Sequence, residues 1–444
     1  MCAVVGVFGS NDASKIVYYS LFAMQHRGQE ATGISASNGK KIKTIKKQGL
    51  VTDVFDENTL ESLVGYISIG HNRYSTAGSE SVLDAQPVFA AYKLGELSIV
   101  HNGNLINKNE VRSLLIEEGA IFQSSMDTEN IIHLIARSHQ ERLQDRIIEA
   151  LHVIKGAYSL VMQSRTKMFA IRDRYGVRPL SLGKLPDGGY IVASETCAFD
   201  LVGAEFIRDV RAGEMIVFEE GKEYKSVQLF EPDLHICAFE FIYFARPDSV
   251  IEGKSVYAAR QRMGRALARE SQIEADLVIP VPDSGVSAAL GYAQESGIPF
   301  EMGIVRNHYV GRTFIEPTQE RRDMKVKLKL SPISSLLKGK RIVVVDDSIV
   351  RGTTSKRIIR ILKEAGAKEV HMRIAAPTIE HPCRYGIDTP SYKELISANM
   401  SVEEVRKYIN ADSLSFLSIK ALKESLGNDC NYSLVSFDGN YFIK

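Results

Sequence analysis

Residues 341–355 read Arg-Ile-Val-Val-Val-Asp-Asp-Ser-Ile-Val-Arg-Gly-Thr-Thr-Ser, a string whose groups suit a phosphorylated sugar. Asp346 and Asp347 would repel phosphate. They suit ribose hydroxyls or a Mg2+ ion, a hard cation that takes carboxylate oxygens. Ser348, Ile349, Val350 and Arg351 lead to Gly352, where a ligand can come close to the backbone, and Thr353, Thr354 and Ser355 add hydroxyl donors. If a helix starts here, the free N–H groups of its first turn and its dipole favour an anion. The plain alternative is an ordinary strand-to-helix turn with two solvated aspartates.

A second set of reactive residues lies at the other end of the chain. Removal of Met1 would put a thiol and an α-amine on one residue, Cys2. An amine titrating near ~7.7–8.0 can take the proton of a thiol titrating near ~8.5, so such a nucleophile needs no separate histidine. By itself a cysteine at position two means little. Four strings accompany it: His26-Arg27-Gly28-Gln29-Glu30, Gly70-His71-Asn72-Arg73-Tyr74-Ser75-Thr76-Ala77-Gly78, Val100-His101-Asn102-Gly103-Asn104-Leu105 and Ser125-Met126-Asp127-Thr128-Glu129. Asn-Gly is the commonest hairpin pair, so a strand running into a tight turn is expected at Asn102-Gly103. Asp127 is placed as the N-cap of a long amphipathic helix.

The elements that must hold these residues can be read from periodicity. Residues 341–345 form a β-branched run, the composition of a buried parallel strand. Ile358, Ile359, Ile361 and Leu362 then share one helical face, and Gly366 is placed to end that helix. Residues 66–69, 158–162, 168–171, 190–193 and 215–218 read as strands, and 255–270 as a helix. A short apolar strand at 276–281 runs into Pro282-Asp283-Ser284-Gly285, a second loop at a sheet's C-terminal edge, where ligands of open α/β folds bind. Residues 316–329 carry Gln319, Arg321, Arg322, Lys325 and Lys327 without a clean period, which predicts a long mobile loop. The aromatic run 239–244 suits core or interdomain packing, or the wall of a passage.

At 444 residues the chain exceeds a single core, and two or three domains are expected. A net charge of +1 gives no reason to expect nucleic acid or an anionic membrane as partner. No apolar run reaches ~18 residues and no leader-like segment opens the chain, so a cytoplasmic location is expected. Five widely spaced cysteines read as reduced thiols rather than a disulfide framework.

The thirteen residues 343–355 resemble the 5-phosphoribosyl-1-pyrophosphate (PRPP) loop of type I phosphoribosyltransferases, and the full string resembles that of the glutamine PRPP amidotransferases. In their order, the N-terminal strings resemble the class II, N-terminal-nucleophile glutamine amidotransferase domain. The resemblance covers essentially the whole chain. It implies an αββα glutaminase domain over residues 2–233 and a phosphoribosyltransferase domain with a mainly parallel sheet and C-terminal helices over 234–444.

It also implies roles. Cys2 attacks the glutamine carboxamide, the Asn102 side chain and Gly103 N–H stabilise the oxyanion, Arg73 takes the α-carboxylate and Asp127 the α-ammonium. Arg27 shapes the same glutamine site. Arg312 and residues 346–355 bind PRPP, Ser284 joins Asp346 and Asp347 on Mg2+, and 316–329 close over the sugar. The reaction implied is the first committed step of purine synthesis, with an apolar passage carrying ammonia between the sites. Purine nucleotides as feedback inhibitors and a homo-oligomer, dimer or tetramer, belong to the same expectation. The rivals are another class II amidotransferase, such as glucosamine-6-phosphate synthase, a PRPP-binding regulator and an inactive duplicate. Some members hold a [4Fe–4S] cluster on four cysteines. Cys237 and Cys383 match two of them, Ser433 and Ser436 stand at the other two, and Cys430 is three residues away. No cluster is therefore expected.

Overall fold

The central strand Ala3–Phe8 is buried at every residue. In this computed structural model, which describes residues 1–74, 81–307, 330–387, 389, 391–427 and 431–443, it lies in a seven-stranded antiparallel sheet. Its neighbours are Tyr190–Ala193 and Ile67–Arg73. Ala3 pairs with Asn72, a register that brings Cys2 up to Arg73 and Tyr74. A second antiparallel sheet runs Lys225–Gln228, Glu214–Glu219, Lys167–Arg172, Gly156–Ser164, Gly95–Leu105, Val88–Tyr92.

The two sheets meet face to face through Val4, Ile69, Val100, Val161, Met168 and Ile216, and a few buried polar contacts, such as Gln163 Nε2 donating to the Ser35 hydroxyl at 3.0 Å, also cross between them. Helix Ala13–Ala23 and the short helix Cys197–Val202 cover the first sheet. Lys108–Glu117, Asp127–Arg137 and Leu143–Val153 cover the second. These are the four expected αββα layers.

Three local expectations are corrected. The strand placed at 66–69 runs on to Arg73, so the Gly70-Arg73 string lies inside it rather than after it. Asn102-Gly103 makes no tight turn: strand Gly95–Leu105 continues through it, with Asn102 opposite Ser159 and Gly103 opposite Tyr158. A long partner strand outweighs the local turn preference of the pair. Asp127 is the first residue of its helix, not its cap, because its carboxylate accepts from the distant Leu105 N–H at 2.9 Å.

The second half holds a four-stranded parallel sheet in the order Leu277–Pro280, Arg341–Asp346, Glu369–Ile374, Ser413–Phe416. Val343, Val344 and Val345 are fully buried, as a strand covered on both faces requires. Helices Val256–Glu270, Val286–Ser296, Thr353–Glu364 and Val402–Ile409 pack around it. Between the halves, Glu240–Phe244 forms a single π-helical turn. Among the described residues, no helix is long and apolar enough to cross a membrane.

Candidate active sites

Cys2 lies at the head of the first sheet's central strand. Its Sγ is 3.6 Å from the Tyr74 carbonyl and 3.5 Å from the Tyr74 N–H. Cys2, Arg73, His101, Gly103, Lys108 and Asp127 line one pocket. Arg73 is 5 % exposed and stands 3.8 Å from Asp84, whose carboxylate is itself fixed by the Ser125 N–H and hydroxyl at 3.0 and 2.9 Å. Burial alone would raise the Asp127 carboxyl, but His101 and the Leu105 N–H hold it below the usual carboxylate range. Asp127 is therefore an anion facing the pocket, suited to an ammonium group.

Two of the expected residues stay out of the pocket wall. Asn102 stands between two wall residues and is 1 % exposed, and neither atom of its carboxamide has a hydrogen-bond partner among the described residues. A buried amide without partners costs free energy, so this side chain is held by nothing and gains most from a ligand oxygen. Arg27 is not available to a ligand at all. Its Nε donates to the Cys2 carbonyl at 2.9 Å, and its Nη atoms are taken by Glu195 at 2.6 Å and Glu240 at 2.9 and 3.0 Å. Arg27 thus braces the backbone of Cys2.

The other expected site forms at the C-terminal edge of the parallel sheet. Leu277–Pro280 and Arg341–Asp346 are adjacent, so their following loops, 282–285 and 347–352, lie side by side. Asp346 and Asp347 are 6 % and 7 % exposed, and no basic side chain among the described residues pairs with either. Burial, and then the charge of Asp347, push the Asp346 carboxyl well above the usual carboxylate range. Two buried, unneutralised carboxylates are a fit for a divalent cation or sugar hydroxyls. Gly352, at φ +73, heads the helix Thr353–Glu364. Thr353 and Thr354 are exposed, whereas Ile349 and Ser355 are buried and can offer a ligand only their backbone. Val350 is half-buried and Arg351 is exposed, 3.3 Å from Glu394. Ser284 is half-buried, beside Asp283, which pairs with Arg306. Arg312, the basic stretch 316–329 and Cys430 lie outside the described residues.

Residues 71–200 match a glutamine amidotransferase domain family and residues 253–405 a phosphoribosyl transferase domain family. The chain is 51 % identical to amidophosphoribosyltransferase 1 (chloroplastic) of Arabidopsis thaliana, over all of this chain and 79 % of that one. It is 48 % identical to the amidophosphoribosyltransferase of Bacillus subtilis, over 99 % of this chain and 94 % of that one. It belongs to the amidophosphoribosyltransferase family. The B. subtilis glutamine PRPP amidotransferase solved with ADP and GMP superposes with a TM-score of 0.94 at 47 % identity, covering 100 % of this chain and 98 % of that one.

In this chain the turn Glu240–Phe244 lies between the two sites. Glu240 holds Arg27 at one end. Tyr243, at the other, is half exposed; crowding by protein, then Asp347, Tyr74 and Asp346, push its phenol up to about 12. The same Glu240 is 3.4 Å from Arg178, whose guanidinium donates to the Tyr385 carbonyl at 3.0 and 2.6 Å. Glu195 completes the lattice, accepting also from His26 at 2.8 Å, the Arg246 N–H at 2.8 Å and the Ser249 hydroxyl at 2.7 Å. His26 and Arg27 keep Glu195 far below the usual carboxylate range although burial opposes it.

Sequence reasoning gave Glu240, Arg178 and His101 no role, and no local pattern marks the first two. His101 adjoins Asn102 in a string already singled out. Its Nδ1 is 3.2 Å from the Thr128 hydroxyl, and its Nε2 is buried without a partner among the described residues.

The four positions that suggest a cluster also come together. Cys237 is 3 % exposed and pairs in parallel register with Ser433. Arg178 feels both Cys237 and Cys383, and burial, against the pull of Arg178, pushes the Cys237 thiol up to about 11. Ser436 is buried, and its carbonyl accepts from the Glu380 and His381 N–H groups. Two thiols and two hydroxyls do not fit a [4Fe–4S] cluster, which takes four thiolates.

Proposed function

We propose that this chain converts glutamine, PRPP and water into 5-phosphoribosylamine, glutamate and pyrophosphate. The observation that carries the reading is the buried, unpartnered Asn102 carboxamide, between two residues that share a pocket with Cys2, in a molecule whose parallel sheet ends in a buried aspartate pair.

In the first half-reaction Met1 has been removed, and the Cys2 amine takes the thiol proton as Sγ adds to the glutamine carboxamide carbon. Arg73 binds the substrate α-carboxylate and Asp127 the α-ammonium. Charge develops on the carboxamide oxygen, and the Asn102 carboxamide, which no hydrogen bond holds back, turns to donate beside the Gly103 N–H. The C–N bond breaks with return of the proton, ammonia leaves, and water cleaves the thioester to glutamate. In the second, ammonia forms a bond to C1 of PRPP as the C1–O bond breaks and pyrophosphate departs with the electron pair, and the resulting ammonium gives its extra proton to pyrophosphate or water. The backbone of 348–355 and the hydroxyls of Ser348, Thr353 and Thr354, with Arg312, hold the PRPP phosphate, and Asp346 and Asp347 its ribose hydroxyls. Asp346, Asp347 and Ser284 would hold Mg2+, which when bound offsets negative charge on the pyrophosphate. The apolar and aromatic residues around Tyr243 give ammonia a route out of bulk water.

The domains are residues 2–233 and 234–444. The enzyme has no iron–sulfur cluster, since its donor set does not fit one. Purine nucleotides regulate it, in line with the B. subtilis relative solved with ADP and GMP. It works as a homo-oligomer, dimer or tetramer, in the cytoplasm.

The test is pyrophosphate release from PRPP with Mg2+, first with glutamine and then with ammonium. Release with both is expected; release with neither sinks the reading.

A further inference from the structure

The strand that carries Asn102 and Gly103 ends against a segment from the far half of the chain. Asn104 Nδ2 donates to the Arg384 carbonyl at 2.9 Å. Next along, the Tyr385 carbonyl takes two hydrogen bonds from the fully buried Arg178. Then Gly386, at φ +103, lies flat on Gly103. A Cβ added to Gly386 would stand 2.8 Å from the Gly103 carbonyl carbon and 3.0 Å from its Cα and oxygen. This is backbone against backbone, so neither side can yield as a flexible side chain would.

The segment is held from behind. The Tyr385 ring is 1 % exposed, its hydroxyl accepts from the Ile443 N–H at 3.0 Å, and the Arg384 guanidinium lies over the Tyr441 ring, 4.4 Å from its centroid. Gly103 is also paired with Tyr158 across the sheet. It has no side chain, its φ is +151, and a Cβ on it would stand 1.9 Å from the Ala157 carbonyl oxygen. Gly103 is thus wedged between Ala157 of its own sheet and Gly386 of the other half.

We propose that residues 384–386 are a positioning element for glutamine cleavage. They fix where the Gly103 N–H points and thereby complete the oxyanion site, without touching glutamine. The inference rests on the reading of Asn102 and Gly103 as oxyanion donors. Its physical basis is that such donors act through placement, so a shift of a few tenths of an ångström weakens them when charge develops.

The experiment uses the full chain carrying Gly386→Ala, which forces the two backbones apart. Glutamine hydrolysis should lose about a hundredfold in kcat, the scale of one lost oxyanion donor. KM for glutamine should change by less than about threefold, because Arg73 and Asp127 still hold the substrate. Alkylation of Cys2 by iodoacetamide, a displacement at saturated carbon that forms no oxyanion, should keep its wild-type rate, as should ammonia-dependent pyrophosphate release. Asn104→Ala, which removes the bond to Arg384, should lower kcat several-fold in the same pattern, on the order of one net hydrogen bond. Gly188→Ala is the control for backbone strain alone: φ is +92 there, nothing lies within 4 Å of an added Cβ, and kcat should not change.

Wild-type kcat in Gly386→Ala, or alkylation falling in step with kcat, overturns the proposal. If Gly386→Ala also loses ammonia-dependent synthesis, Asn104→Ala decides: the kcat loss with normal alkylation supports the proposal, and unchanged kcat overturns it. Full kcat in Asn102→Ala would instead retire the oxyanion reading itself, whatever Gly386→Ala does.

Discussion

Cys2 takes its position from Arg27, its hydrogen bonds from Tyr74, and its pocket from Arg73, His101 and Asp127. None of these residues belongs to the parallel sheet. Cys2→Ala should therefore abolish glutamine-dependent synthesis, by a factor on the order of 10³ or more, and leave ammonia-dependent synthesis largely intact. Parallel assays with glutamine and ammonium check this, and loss of both in a folded variant would count against two separate sites. The residues brought to this pocket were legible because each sits in a compact string with its own signature. Glu195, Glu240, Arg178 and Tyr385 were not legible as a set. Their meaning lies in contacts between positions tens to hundreds of residues apart, and a carboxylate within an aromatic run gives no sign of the guanidinium it will meet. The error at Asn102-Gly103 has the same origin: a local turn preference was read where a distant strand decides the conformation.

The strand Arg341–Asp346 and the helix Thr353–Glu364 were readable for a simple reason. One carries an unbroken β-branched run, the other a clean helical stripe, and both are buried as those patterns require. The strands Ser181–Lys184 and Glu205–Asp209 gave no comparable signal. The first is four residues long and contains a glycine, and the second lies at the sheet's edge and is mostly exposed. The π-helical turn Glu240–Phe244 is likewise hidden, because its aromatics suit packing or the wall of a passage and neither reading marks a helix type. What the sheet's C-terminal edge does can be tested on the element as a whole. Asp346→Asn with Asp347→Asn keeps size and removes two negative charges. PRPP affinity and both synthetic activities should fall by roughly two orders of magnitude or more, as expected when a cation and a ribose lose their ligands. Calorimetry with PRPP and Mg2+ would check it, and undiminished binding would make the pair mere loop structure.

Across the whole molecule, the C-terminal tail is tied down by stacking, a hydrogen bond and strand pairing. Phe437 stacks on Phe239 at 5.1 Å, the Tyr441 hydroxyl donates to the Pro382 carbonyl at 2.6 Å, and Ser433 continues a parallel pairing with Cys237. Protein purified with and without oxygen should be colourless and equally active, with no iron above background. About four irons per chain with a broad band near ~400 nm would overturn this, and would make Cys430 the first ligand to examine. The buried lattice of Arg27, Arg178, Glu195 and Glu240 has a consequence of another kind, in how such a sequence can change over generations. Removing any one member strands a charge in the interior, at roughly 3–5 kcal/mol, a large share of what keeps a protein folded. These four positions cannot drift singly, and they belong to both halves. A glutaminase half inherited from a different ancestor would bring its own Arg27 and Glu195 to a foreign Glu240. The lattice thus makes the fusion of the halves hard to undo, and recombination between distant lineages should rarely succeed across it.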